Sequence, residues 1–127
     1  MEETLPVVTE KPWGRELLLR RTDTYVVKIL CVRAGCRLSL QYHEVKRETL
    51  LLGSGRALLE IHIGDQVIQH SLDEAVDVAP GTAHRVVALE DSEIVEVSTT
   101  ELDDVVRLED DYGREEDERP SRRRPLT

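Results

Sequence analysis

The stretch from Gly35 to Gly55 holds side chains whose types and spacing suit a divalent metal. Gly35 is followed after five residues by Gln41-Tyr42-His43, after four more by Glu48, and after six more by Gly55. Along an extended strand Gln41 and His43 stand two apart and project to one face, and Glu48, opening the next strand, can point back at them. A second segment, Pro80-Gly81-Thr82-Ala83-His84, sets another imidazole just beyond a tight turn. Two histidines, one carboxylate and the amide oxygen of Gln41 form a mixed nitrogen and oxygen set for one divalent transition metal, with positions left open for substrate. Such a set does not choose among Zn, Mn, Fe, Co and Ni, and with no cysteine in it it does not describe a closed structural zinc site. The competing reading is a hydrogen-bonded polar cluster without metal, which is costly to bury.

A second candidate is Lys28, the one charge within Tyr25-Val-Val-Lys-Ile-Leu-Cys-Val32. Either its ammonium snorkels from an edge strand to solvent, or it faces a cavity. His62 and His70 sit in or beside an alternating hairpin and read as surface imidazoles. Tyr42, out of phase with Gln41 and His43, belongs on the opposite face.

The elements that must hold these residues are strands. Segments 25–32, 37–43, 49–52, 56–63, 66–70, 75–79, 84–89 and 94–99 are short and rich in branched aliphatics, with Gly, Pro, Asp and Ser between them. Spacings near ten residues predict an all-β barrel or jelly roll instead of alternating βαβ units. Residues 56–63 alternate cleanly, with Ala57, Leu59, Ile61 and Ile63 on one face. Leu102, Val105, Val106 and Leu108 recur at helical spacing behind acidic residues, which predicts a short closing helix over 101–108. The expected organisation is an N-terminal arm over 1–24 anchored by Trp13, a barrel with its closing helix over 25–108, and a charged tail over 109–127 too poor in apolar residues to order itself.

Composition narrows the function classes. The 127 residues carry 17 Lys and Arg against 26 Asp and Glu, a net charge of −9, which argues against a nucleic-acid partner. No apolar run approaches the ~20 residues of a membrane span, and residues 1–10 lack the basic and apolar pattern of a leader, so a cytoplasmic, membrane-free protein is expected. Without a secretory signal, Cys31 and Cys36 are not expected to pair. Phe is absent, leaving Val, Leu and Ile to fill the core. Apolar residues on a predicted outer face, Leu38, Leu40 and Tyr42, point to a homodimer.

The two metal segments resemble the cupin superfamily, whose first motif reads G-x5-H-x-H-x3,4-E-x6-G and whose second ends in G-x2-H, with Gln41 in place of the first histidine. That replacement is similar to the cupin domain of type II mannose-6-phosphate isomerases. The likeness extends to Lys11-Pro-Trp-Gly14, Val27-Lys28, Leu38-Ser-Leu-Gln-Tyr-His43, Pro80-Gly-Thr-Ala-His-Arg85, Asp103-Asp-Val-Val-Arg107 and Asp111-Tyr-Gly-Arg114. It implies a single-domain jelly roll, a metal on Gln41, His43, Glu48 and His84, and Lys28 facing the cavity as a proton carrier. It also implies a sugar-phosphate ligand met by Lys46 or Arg85, and interconversion of mannose 6-phosphate and fructose 6-phosphate. The family usually has His-Trp where Thr49-Leu50 stands, Arg at Lys46 and Asn at Ala88, positions the resemblance places around the sugar pocket. Two other uses fit the same ligands: a non-catalytic metal-dependent sugar or small-molecule binding module, and an Fe(II) oxygenase.

Overall fold

A computed structural model describes residues 4–114 of the 127. Its strands follow one another as β1 Val7–Lys11, β2 Gly14–Arg21, β3 Val26–Val32, β4 Leu40–Tyr42, β5 Glu48–Ser54 and β6 Ala57–Ile63. They continue as β7 Gln66–Ser71, β8 Val76–Val78, β9 Ala83–Ala88, β10 Ser92–Ser98 and β11 Val106–Glu109. Two antiparallel sheets result, one in the order β1-β2-β3-β10-β5-β8 and the other β11-β4-β9-β6-β7. Alternation decides which face of each strand goes inside. In β3, Val26, Lys28, Leu30 and Val32 are buried, while in β10 Ile94 and Glu96 point the same way. One end of the space between the sheets is a dry core of Trp13, Leu30, Val32, Leu50, Leu59, Leu72 and Ile94 with their neighbours. The other end is an open cavity.

The expected N-terminal arm is instead part of the sheet. Val7–Lys11 and Gly14–Arg21 form a hairpin, with Lys11 opposite Gly14, and β2 pairs along β3. Trp13 at the hairpin tip is 3 % exposed, so burying its ring pins the turn. Leu17-Leu18-Leu19 interrupts the alternation that would have betrayed β2, and a bulge between Leu18 and Arg20 accounts for the break in phase.

The expected closing helix is absent. Residues 101–105 are bends and loop, and Val106–Glu109 forms β11 along β4. Eight residues with weak apolar spacing form a marginal helix, whereas β-branched Val106 gains a ready-made sheet edge. The start of the expected tail is also fixed, since Asp110 holds Arg114 through Nε at 2.8 Å and Asp111 holds Arg37 at 2.7 Å. The remainder of that tail, from residue 115, lies outside the described residues. Cys31 and Cys36 are free thiols. Among the described residues no helix is long and apolar enough to cross a membrane.

Gly55, which closes the first motif, turns the chain between β5 and β6 at φ 88°, and a Cβ there would lie 2.3 Å from the Asp91 carbonyl oxygen and 2.5 Å from Ser92 Oγ. Both the conformation and the clash exclude a side chain. Gly55→Ala is expected to lower the stability of the fold by at least ~2 kcal/mol, read as a fall in Tm by differential scanning calorimetry.

Candidate metal centre

The ligand candidates come from both sheets. His43 follows β4 directly, His84 lies in β9 beside it, and Glu48 opens β5 in the facing sheet. All three are buried, at 3 %, 2 % and 3 % exposure, and their ligating atoms lie within 4.8 Å of one another. Gln41 is opposite His84 in the β4–β9 ladder, borders the same cavity, and accepts a 2.6 Å hydrogen bond from Ser39 Oγ on its side-chain oxygen.

Hydrogen bonding sets how the two imidazoles present themselves. His43 Nδ1 faces the Asp104 carbonyl oxygen, and His84 Nδ1 lies 2.8 Å from the Thr82 carbonyl oxygen. A carbonyl only accepts, so each Nδ1 carries a hydrogen and, in the neutral ring, each Nε2 offers a lone pair. Both Nε2 atoms aim at one oxygen: Glu48 Oε2 is 2.8 Å from His84 Nε2 and 3.3 Å from His43 Nε2, so a proton on either Nε2 or a metal between them is what Glu48 would meet. The His43 Nε2 atom is buried with no hydrogen-bond partner among the described residues. Three electron-rich atoms converging in a dry site call for a cation between them, and backbone carbonyls on the far ring nitrogens are how proteins orient metal-binding histidines. The donor set therefore fits a divalent metal on His43, Glu48 and His84, with Gln41 as a neighbouring neutral oxygen.

Charges around Glu48 keep it ionised. Burial opposes this, yet the two imidazoles and the Lys46 ammonium hold its carboxyl well below the usual carboxylate range. Lys46 is 6 % exposed and bridges two carboxylates, Glu48 Oε1 at 3.4 Å and Glu96 Oε2 at 2.7 Å. Burial pushes the Lys46 ammonium down, but Glu96 and Glu48 more than offset it and its pKa is raised. Glu96 behaves in the opposite sense to Glu48: burial, then the nearby Glu48 charge, push its carboxyl up.

The centre opens onto a cavity of about 390 Å³ between the sheets. Five cationic side chains, Lys11, Lys28, Lys46, Arg107 and Arg114, border it with four carboxylates, Glu16, Glu96, Asp103 and Asp104. In a chain of net charge −9 that lining is close to neutral, and Lys28 and Lys46 are paired with Glu16 and Glu96 within it. Lys28 faces the cavity, 8 % exposed, with Nζ 3.2 Å from Glu16, and lies directly across the β3–β10 ladder from Glu96. Arg85, expected at the phosphate, points elsewhere. It follows His84 in β9 and so takes the outer face, where Nε donates to the Leu38 carbonyl and the guanidinium approaches Glu109. Thr49 is likewise on an outer face, while Leu50 and Ala88 are core residues. None of these three borders the large cavity, so of the departures expected at the sugar pocket only Lys46 belongs to its lining, while Leu50 packs beside Glu48 and His84 at the metal residues. His62 contacts Glu60 on the outer face, and His70 is exposed in β7.

Glu96, Lys11 and Asp104 escaped the sequence reading. For Glu96 a signal existed: it shares the phase of Ile94 in a strand whose inner face is otherwise buried. Asp104 had none, because its role is tertiary. Its carboxylate accepts backbone N–H bonds from Glu44, Val45 and Lys46 at 2.7 to 2.9 Å, and its carbonyl orients His43. One residue thus fixes the loop between two ligand candidates. Asp104→Ala is expected to weaken metal affinity by about 10- to 100-fold, measured by competition with a chromogenic chelator, while Asp104→Asn retains part of it.

A jelly roll of two antiparallel sheets with two buried histidines and a carboxylate converging between them defines a cupin. The structure superposes on CapF, a capsular polysaccharide assembling protein from Staphylococcus aureus, with TM-score 0.68, 21 % identity and coverage of 80 % of this chain and 30 % of that one. It also superposes on an RmlC-like cupin from Desulfovibrio desulfuricans, with TM-score 0.58, 17 % identity and coverage of 67 % and 80 %. The chain belongs to the family of mannose-6-phosphate isomerase C-terminal domains, whose pattern matches residues 2–110. Xanthan biosynthesis protein XanB of Xanthomonas campestris is 33 % identical over 109 residues, 82 % of this chain and 23 % of that protein. A mannose-1-phosphate guanylyltransferase of Salmonella muenchen is 29 % identical over 108 residues, 81 % of this chain and 22 % of the other. The chain thus spans less than a quarter of the length of these relatives.

Proposed function

We propose that this cupin is a metal-dependent aldose–ketose isomerase acting on a sugar phosphate, with mannose 6-phosphate and fructose 6-phosphate as its pair. The observation that carries this reading is the convergence of His43, with its unpartnered Nε2, and His84 on Glu48 beside a cavity that His43 lines and that also holds a protonatable carboxylate, Glu96. The family and the mannose-phosphate enzyme among the relatives support the substrate class.

His43, Glu48, His84 and Gln41 would hold the metal, which when bound supplies Lewis-acid polarisation of substrate oxygens. The chain's own residues do the rest. Glu96, whose carboxyl is pushed up toward neutrality, takes the proton from one carbon and returns it to the adjacent carbon through an enediol. Lys28, its cross-strand neighbour, balances the charge that Glu96 gains and loses. Lys46 stays engaged by Glu48 and Glu96 and sets the distance between ligand and base, while Lys11 at the cavity wall meets the phosphate.

The deciding experiment measures metal content by mass spectrometry and mannose 6-phosphate turnover by a coupled assay on one preparation. Near one equivalent of metal with turnover is expected. Metal without turnover overturns the isomerase reading in favour of a binding module, and Fe(II)-dependent oxygen uptake overturns it in favour of an oxygenase.

A further inference from the structure

Of the 17 Lys and Arg residues only three are lysines, Lys11, Lys28 and Lys46, and all three border the large cavity. Every side-chain amine of the protein therefore lies at one place, and the other cations are guanidinium groups. The distinction is chemical. A guanidinium keeps its proton, whereas an ammonium in a partly dry site beside other cations can release its proton and offer a nitrogen lone pair to carbon. Two of the three amines have carboxylate counter-ions: Lys28 Nζ is 3.2 Å from Glu16, and Lys46 Nζ is 2.7 Å from Glu96 and 3.4 Å from Glu48. Lys11 differs from both. Glu16 acts on it only from a distance, its carboxylate being engaged by Lys28, and among the described residues no other carboxylate offsets the cations Arg107, Lys28 and Arg114 around it. Burial pushes the Lys11 ammonium down, Glu16 opposes this, and those three cations add to the push.

The position of Lys11 suits an incoming ligand. It closes β1 in phase with Val7 and Thr9, which line the same cavity, and stands opposite Gly14 in the hairpin that Trp13 pins. Its root is thus fixed while its amine meets the cavity. Arg114 is fixed as well, with Nε and Nη2 on Asp110 at 2.8 and 3.1 Å, and Arg107 stands beside it on the cavity wall. We infer that Lys11 is a covalent capture site for small anionic carbonyl compounds, the open-chain form of an aldose phosphate among them, with Arg107 and Arg114 holding the anion. The lone pair of Nζ forms a bond to the carbonyl carbon, the carbonyl oxygen collects the two amine hydrogens through solvent and leaves as water, and an imine remains. Nothing is oxidised or reduced. The adduct occupies the place where the isomerase reading puts the substrate phosphate, so it blocks the cavity, and its formation does not depend on that reading.

Pyridoxal 5′-phosphate, an anionic aldehyde, tests the assignment on the full chain. Borohydride fixes the imine as a stable secondary amine, and peptide mapping by mass spectrometry locates it. The label is expected on Lys11, with Lys28 and Lys46 labelled at least about tenfold less, since each unit by which a pKa is lowered gives up to about tenfold more free amine. Pyridoxal without its phosphate is expected to label Lys11 roughly tenfold more slowly, because the cations then have no anion to concentrate. Inorganic phosphate is expected to protect Lys11 from the reagent. Lys11→Arg is expected to lose the adduct, and the wild-type peptide map decides the matter should that variant fail to fold. A label centred on Lys28, Lys46 or a terminal amine overturns the assignment. Equal labelling by pyridoxal, or no protection by phosphate, overturns the role given to Arg107 and Arg114. Because the adduct is read by mass, a misplaced label and an absence of sugar-phosphate turnover are separate results, the first counting against Lys11 and the second against the isomerase reading.

Discussion

Replacing His43 and His84 together by alanine takes the bound metal from near one equivalent to background and abolishes turnover. The expectation rests on the two Nε2 lone pairs, which are the only nitrogen donors aimed at Glu48 Oε2 among the described residues, at 3.3 and 2.8 Å. A carboxylate and one neutral amide oxygen cannot hold a transition metal of this class against water and buffer. The variant is also expected to lose the stabilisation that a ligand binding only the folded state confers, about 4 kcal/mol at a free metal concentration a thousand times its Kd. Inductively coupled plasma mass spectrometry reads the first effect, and calorimetry with and without chelator reads the second. If the cluster were a hydrogen-bonded polar core, the wild type would carry no metal after reconstitution with Zn, Mn, Fe, Co or Ni, and chelator would leave its Tm unchanged.

Glu96→Gln separates proton transfer from metal binding. The substitution keeps the shape and a hydrogen-bond acceptor for Lys46 but removes the titratable oxygen, so kcat is expected to fall by about 10²- to 10⁴-fold with metal content and KM little changed. Lys28→Met is expected to lower kcat in the same assay by a smaller factor, because it removes the ammonium facing Glu96 and leaves the base in place. A Glu96→Gln enzyme that loses metal in proportion to activity would show that Glu96 acts only through Lys46 and Glu48, and the base must then be sought elsewhere in the cavity.

The contrast between Glu48 and Glu96 shows where sequence reading stops. Both are glutamates in strands of the same sheet, and both are almost fully buried. One is driven toward ionisation because two imidazoles and an ammonium surround it, and the other is driven toward neutrality because it is dry and faces the first. No spacing in the chain distinguishes these two environments. They arise when β4, β9 and β10, distant in sequence, are brought against β5.

Eight of the strands, the turns between them and the residues that converge as His43, Glu48 and His84 were legible in the chain alone. Those features depend on short-range rules, namely alternation, turn chemistry and a motif whose spacing is set by strand geometry. The pairing of distant segments settled that Val7–Lys11 and Gly14–Arg21 are strands of the large sheet, that Val106–Glu109 extends the small one and does not form a helix, and that Arg85 faces away from the cavity. These outcomes share one physical cause. An open sheet edge supplies backbone hydrogen bonds that outweigh weak local preference, and which face of a strand meets water depends on the neighbour it pairs with, which no local pattern records.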